Sequence, residues 1–412
     1  MKKKKTVKVG IGFVTGRKSF KNVAQTYIEG WNTALNKEIS LNLFVSYDLK
    51  YSNTRASDYK ISDEGLLDIV DSAHYLSSTS IDTEAQSLVV KGVITQAEAK
   101  LIFGEGYAMK RNATLYYALK NNMDYLIFLD DDEYPMAVFK TEIGIAWKGQ
   151  EIISTHIQNI QHADMTHGYH CGYVSPIPNL RFNESLAEED FHLFIEAISN
   201  DIINWESVKQ KMDDGGATYA SLATINEQMV EYVEEIGGMK FISGANLGFN
   251  LSNIDKVFPF YNPPGARGED TFLSTAICEC KIRKIHCYTF HDGFGEYENL
   301  LHGVLPTQLK TMRPDKSAVT NRFLKATIGW IRYKPLLIYI TDKNNFEARI
   351  AQIRENLKLV LPKICAYFEN DRFMEIMEEL ELYQGNVKRH YRDFQKTKAA
   401  WIKVVKYLKN GI

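Results

Sequence analysis

The sequence predicts an α/β protein: a mixed, mainly parallel sheet flanked by helices, followed by a helical C-terminal region. Three observations carry this. Apolar runs of strand length end abruptly on polar or acidic residues, as in Tyr125-Leu126-Ile127-Phe128-Leu129 before Asp130-Asp131-Asp132-Glu133. Continuous runs of this kind suit strands covered on both faces. Helical patterning separates the first strands at the spacing of βαβ units, which sets strands parallel. From about Pro306, apolar positions recur at helical spacing, for instance Ile350, Ile353, Leu357 and Leu361.

In chain order, Lys8-Val9-Gly10-Ile11-Gly12-Phe13-Val14 is a strand that ends in Thr15-Gly16-Arg17, and a helix follows over residues 20–36. A second strand, 41–48, closes on Asp48. Helices are expected over 63–76, 83–90, 96–103 and 107–121, the last feeding the Tyr125 strand, for an order β-α-β-α-α-α-β. Residues 152–157 and 170–174 read as strands, and 184–214 as an acidic, amphipathic helical segment. Residues 241–250 return to strand character, 259–268 form a Pro- and Gly-rich loop, 270–280 a helix and 282–290 a strand ending at His291. A chain of 412 residues exceeds one ordinary core. Residues 1–305 are read as the main domain, with a helical insertion at 184–236, and 306–412 as a helical region.

Composition narrows the function. Hydrophobic content of 45% and charged content of 24% are those of a soluble globular protein. The formal net charge of −2 argues against a nucleic-acid binder as a whole, although charge is uneven along the chain. No apolar run is long enough to span a bilayer, and the basic start Met1–Lys5 precedes no signal-like apolar stretch. The five cysteines lack zinc-site spacing and read as buried, reduced thiols. A cytoplasmic protein is expected.

The acid cluster after the Tyr125 strand is where a doubly wound sheet places ligands. Adjacent carboxylates there repel one another and are costly to desolvate unless a cation shares the site. A divalent ion taking one or two carboxylates plus substrate phosphates is the natural partner. The competing reading is a solvated acidic turn.

Further segments line up behind it: Lys110-Arg111-Asn112 on the preceding helix, Ser243-Gly244-Ala245-Asn246, Arg267-Gly268-Glu269-Asp270-Thr271, and His291 at a strand end. In order and spacing this set resembles the GT-A fold glycosyltransferases, most closely the inverting family 2 type, over roughly residues 7–295. Ala245 departs from that pattern, standing where a second glycine is frequent.

The resemblance implies a metal-dependent transfer of a sugar from a nucleotide diphosphate, of UDP or GDP type, to a hydroxyl of a saccharide or lipid-linked acceptor. Asp132 would ligate Mn²⁺ or Mg²⁺, Asp130 would share the metal or face the ribose, and His291 would complete the metal site; the triple aspartate leaves Asp131 ambiguous. Such an ion stabilises charge developing on the leaving nucleotide. A core-edge histidine is the competing reading of His291. Asp270 would be the general base that deprotonates the acceptor, with Glu269 positioning it; both equally suit a helix N-terminus. Thr15, Gly16 and Arg17 would cradle the nucleotide, and Asp48 would contact base or ribose. Arg17, Lys110 and Arg111 are candidate diphosphate partners, against solvated surface charge. Gly244, Ala245 and Asn246 would floor the donor sugar, against a plain β-bulge. A retaining transferase, a nucleotidyltransferase and a non-catalytic carbohydrate-binding protein are the rival functions.

Two stretches fall outside this pattern. His156, His162, His167 and His170 suggest a second metal, an acceptor-side loop or plain structure. Residues 388–409 form a basic amphipathic helix, suited either to an anionic membrane surface or to docking on the main domain.

Overall fold

A computed structural model describes residues 6–31, 38–199 and 205–411. The first part of the chain runs β1 (Val7–Thr15), α1 (Phe20–Glu29), β2 (Ile39–Tyr47), α2 (Glu64–Ile69), β3 (Ser72–Leu76), α3 (Ser78–Val90), α4 (Gln96–Phe103), α5 (Tyr107–Lys120) and β4 (Tyr125–Leu129). It continues through β5 (Glu133–Tyr134), the hairpin of β6 (Met136–Thr141) and β7 (Gly144–Gly149), α6 (Ile152–Ile160) and β8 (Met165–Gly172). Then come α7 (Glu188–Ile198), α8 (Trp205–Asp213), α9 (Leu222–Asn226), the short β9 (Glu231–Tyr232), β10 (Glu235–Ile236) and β11 (Met239–Lys240), β12 (Leu247–Asn250), α10 (Glu269–Ala276) and β13 (Ile282–His291). Four helices end the chain: α11 (Ser317–Thr341), α12 (Phe346–Phe368), α13 (Glu375–Gly385) and α14 (Val387–Gly411).

The main sheet has the order β3-β2-β1-β4-β12-β8-β13-β5, with β9 added on β13. Pairings are parallel from β3 to β4 and between β8 and β13; β12 runs antiparallel to both β4 and β8. The sheet is therefore mixed and mainly parallel, and it is covered on both faces. Ile11, Phe13, Leu43 and Ile127 pack with α1 and the hairpin on one side, whereas Phe44, Leu126 and Phe128 pack with α3, α4 and α5 on the other. A third apolar cluster joins α7 and α8 to α11, α12 and α13.

Several expected elements change. The second half of the expected helix 63–76 is strand β3, an edge strand too polar to announce itself, in register with β2 from Asn42↔Ser72 to Ser46↔Leu76. The order thus becomes β-α-β-α-β-α-α-α-β. The expected strand 152–157 is helix α6: Ile152, Ile153, Thr155, His156, Asn159 and Ile160 are its buried residues, a helical rather than an alternating face. Strand structure over 241–250 is confined to β12. Helix α1 is described to Glu29, and the expected continuation over 32–36 lies outside the described residues. The segment 184–236 is helical in α7, α8 and α9, while β9 and β10 end it. All five cysteines are free, and Cys278 is only half-buried.

Helix α14 closes on the main domain. Its apolar stripe, Phe394, Ala400, Trp401, Val404, Val405 and Leu408, is buried, and the Trp401 indole N–H donates to the Val257 carbonyl at 2.8 Å. Lys403 pairs with Glu98 on α4 and Lys409 with Asp255. The surface that an interfacial helix would bury in lipid is thus occupied by protein, so insertion of this apolar face into a bilayer is not available to the folded chain. No helix among the described residues is long and apolar enough to cross a membrane. Trp401→Ala is expected to destabilise the fold by about 3–5 kcal/mol, the usual cost of truncating a buried aromatic, read as a lower denaturation midpoint in urea. A variant as stable as the parent would show that α14 is a mere appendage.

Candidate functional site

Sheet topology explains why distant residues meet. The carboxyl ends of β1, β4, β8 and β13 share one edge, and because β12 is antiparallel its entry, Ser243 to Asn246, lies at that same edge. Register extends Phe13↔Leu129 to Thr15 opposite Asp131, and the Thr15 hydroxyl donates to Asp131 Oδ2 at 2.6 Å. The pairing His291↔Glu133 between β13 and β5, with the Asp292 N–H on the Asp132 carbonyl at 2.9 Å, folds the acid turn back onto the end of β13.

The aspartates then separate by partner. Asp130 Oδ1 accepts from Arg111 Nη2 at 3.0 Å and from the Tyr107 hydroxyl at 2.9 Å. Asp131 is buried under Thr15. Asp132 Oδ2 lies 3.4 Å from His291 Nε2 and 2.5 Å from Arg17 Nη1. Burial pushes Asp130 and Asp131 upward, Asp131 to about 7, with neighbouring carboxylates adding to the effect. Asp132 goes the other way: burial raises it, but His291 and Arg17 outweigh that and hold it far below the carboxylate range. Burial lowers His291, yet Asp132 lifts it to about 9.

The donor set suits a divalent ion that also takes substrate oxygens. The His291 Nδ1–H donates to the Tyr173 carbonyl, which turns Nε2 toward Asp132; a cation displacing the Nε2 proton could be held there, with the Nδ1 bond serving as the second-shell partner usual at metal sites. Asp132 adds one carboxylate. Among the described residues no three His, Cys, Asp or Glu side chains are grouped to hold a metal by themselves. Mg²⁺ usually takes one or two carboxylates with substrate phosphates and waters, so Asp132 with a diphosphate could suffice.

Arg111 is the hub behind the acids. It is 1% exposed, donates to the Gly244 carbonyl and to Asp130, and its Nε lies 3.6 Å from Glu269 Oε1. Its guanidinium is engaged inside the protein, so the expected role as a diphosphate partner gives way to joining the acid turn, the Ser243–Asn246 loop and α10. Lys110, next to it on α5, faces elsewhere: its ammonium lies 3.3 Å from the Tyr47 carbonyl and 4.0 Å from Asp48. Gly16 allows the Tyr51 side chain to pack directly on the backbone, since a Cβ there would lie 2.5 Å from Tyr51 Cβ.

At the other side of the loop, the Gly244 N–H donates to Asp270 Oδ2 at 3.2 Å, and the Thr271 N–H donates to Oδ1 at 2.8 Å. Glu269, at the start of the same helix, is raised to about 7 by burial and by Asp270, against Arg111.

Asn246 departs from its expected role. It is fully buried with φ +49°; His156 Nε2 donates to its Oδ1 at 2.9 Å, and its Nδ2 donates to the Tyr169 carbonyl at 3.1 Å. Its side chain pins the loop from beneath, and Ala245 is likewise enclosed, so a floor for the sugar would be made by backbone here. The histidine tract is dispersed accordingly: His156 holds Asn246, His162 is exposed, His167 Nε2 accepts from the Ser243 N–H at 3.1 Å, and His170 Nδ1 lies 3.1 Å from Glu133 Oε1. Sequence reasoning missed Tyr107 and Glu133 as supports. For Glu133 its place directly after the aspartates was the available signal; Tyr107 lies 23 residues before Asp130 and carried none.

No family model and no curated protein matches the chain. Among solved structures it is similar to S. aureus TarS 1-349, at 11% identity over 91% of this chain and 92% of that one, with a TM-score of 0.38. The same protein in complex with UDP gives 10% identity, 93% and 92% coverage and a TM-score of 0.34. In complex with UDP-GlcNAc it gives 12%, 98%, 92% and 0.33. Likenesses this distant leave the site to be argued from its own residues.

Proposed function

We propose that the chain is a metal-dependent glycosyltransferase that moves a sugar from a UDP- or GDP-type donor to a hydroxyl of a glycan or lipid-linked acceptor, with inversion. One observation carries the reading: Asp132, His291 and Arg17 converge at a sheet edge beside a loop that also touches Asp270. The first three suit a diphosphate and its cation; the last suits an incoming hydroxyl.

Asp132 and His291 would hold Mn²⁺ or Mg²⁺, which when bound neutralises charge on the departing diphosphate. Arg17 adds a guanidinium for the same oxygens. Thr15 and Gly16 form the end of β1 against which the nucleotide would lie, and Asp48 stands at the end of the neighbouring β2. Asp270 takes the acceptor proton as the acceptor oxygen bonds to the anomeric carbon and the nucleoside diphosphate leaves. Its two backbone N–H partners hold the carboxylate in one orientation. Glu269 and Arg111 set the charge around it.

A nucleotidyltransferase would want a Gly-rich, Lys-containing phosphate loop after β1, and Thr15-Gly16-Arg17 with Tyr51 pressed on Gly16 offers none. Contact with an anionic surface through the outward cations Lys388, Arg392, Lys396 and Lys406 belongs to the same proposal, as a purely electrostatic attachment. The test is hydrolysis of a panel of UDP- and GDP-sugars with and without Mn²⁺, beside thermal protection by UDP and GDP. Mn²⁺-dependent protection by one nucleotide and turnover of its sugar are expected. Absence of both overturns the reading.

A further inference from the structure

A cation reaches this site from outside the main domain. Arg322 lies near the start of α11, in the helical region. A Cβ placed on Gly293 would collide with its Nη2 and would lie 3.0 Å from its Cζ and 2.7 Å from His291 Cε1. Arginine and histidine therefore sit side by side over one bare glycine. The Phe294 ring centroid is 4.9 Å from the Arg322 Cζ, and its buried Nε has no hydrogen-bond partner among the described residues.

The charges around Arg322 do not satisfy it. The carboxylate it feels most is Asp132, which is already taken by Arg17 at 2.5 Å and shared with His291 at 3.4 Å. The other charged neighbours, Arg17 and Arg267, are guanidinium groups. Burial and this like-charge crowding push Arg322 below its ordinary range, with Asp132 opposing. A half-buried guanidinium beside two others is costly unless an anion is shared among them. A diphosphate carries the charge and the paired oxygens that arginine forks match.

We propose that Arg322 binds the diphosphate of a nucleoside diphosphate from beside His291, so that α11 of the helical region completes the donor site. The inference rests on the donor reading given above and adds to it a residue and a role for the helical region. Arg322 acts by direct contact with phosphate oxygens, and Gly293 keeps the approach open.

The experiment is calorimetric titration of the full chain, as wild type, Arg322→Lys and Arg322→Ala, with UDP, GDP, UMP, GMP and inorganic pyrophosphate in the presence of Mn²⁺. Loss of one charge-assisted contact corresponds to about tenfold or more in Kd. Arg322→Ala is expected to weaken the preferred nucleoside diphosphate and pyrophosphate by at least that factor. The matching monophosphate should weaken less, and Arg322→Lys should recover part of the loss. Unchanged diphosphate affinity in a folded Arg322→Ala protein overturns the inference and leaves the donor reading intact. A wild type that binds neither UDP, GDP nor pyrophosphate overturns both. If melting curves show that Arg322→Ala does not fold, Arg322→Gln, which keeps most of the side chain, is read by the same criterion.

Discussion

Asp132→Ala is expected to abolish the Mn²⁺ dependence of UDP or GDP binding, with at least a hundredfold loss of affinity at saturating metal. The expectation comes from how the three aspartates divide. Asp130 is tied to Arg111 and Tyr107, and Asp131 to Thr15 and, at 3.4 Å, to Arg17, whereas Asp132 shares Arg17 and alone of the three faces His291. Removing its carboxylate leaves a cationic surface with no anionic ligand for a metal. His291 also loses the carboxylate that does most to raise it. Weak binding of UDP or GDP to the arginines should survive, insensitive to Mn²⁺. The measurement is the rise in melting temperature on adding nucleotide with and without metal, since a ligand bound only by the folded state stabilises it by RT ln(1 + L/Kd), where L is the free ligand concentration. Asp131→Ala is the control and should keep the metal increment. If Asp132→Ala binds nucleotide with undiminished Mn²⁺ dependence, the cation lies elsewhere.

Strands β1, β2 and β4 are legible because each is a mainly apolar run that stops at a polar turn, and β13 because its apolar and aromatic residues end at His291 and a Gly-rich turn; the residues at those stops are those the topology gathers. Their convergence needs β12 to enter the sheet antiparallel, which no local pattern announces. Inward and outward polar residues were not separable in the same way. Asn246 and Arg111 have the composition of ligand-binding residues, yet both face inward, because pairing of β12 with β8 turns one under the sheet and the packing of α5 buries the other. Ile152-Ile153 looks like the start of a strand, and only the buried His156 and Ile160 reveal a helical face. In α14 the amphipathic pattern was real, but amphipathicity says that one face is covered and not by what. Arg322 lies beyond the stretch that carries the family resemblance, and its link to Gly293 exists only in three dimensions.

Asp270→Asn is expected to leave donor binding within about twofold and to lower transfer by about 10²–10⁴, the range over which a positioned general base contributes. Binding should persist because Asp270 meets the Ser243–Asn246 loop through a backbone N–H that an asparagine oxygen can still accept. Its charge also acts on Glu269, which burial and Asp270 together raise to about 7. The sign of the resulting pH effect is set by linkage. A carboxyl whose folded pKa lies above its unfolded value, about 4.3 for glutamate, contributes its stability below that lower value and loses it as pH rises through about 7. Wild type should therefore melt at a lower temperature at pH 8 than at pH 5 through this group. Glu269→Gln should flatten that difference, and Asp270→Asn should move it toward lower pH. Melting curves across pH 4.5–8 on the three proteins read the effect, and initial-rate assays on the same samples read the base. Near-normal turnover by Asp270→Asn would exclude Asp270 as the base. Intact transfer by Asp270→Asn together with its loss in Glu269→Gln would move the proton acceptor one residue back along α10, to Glu269.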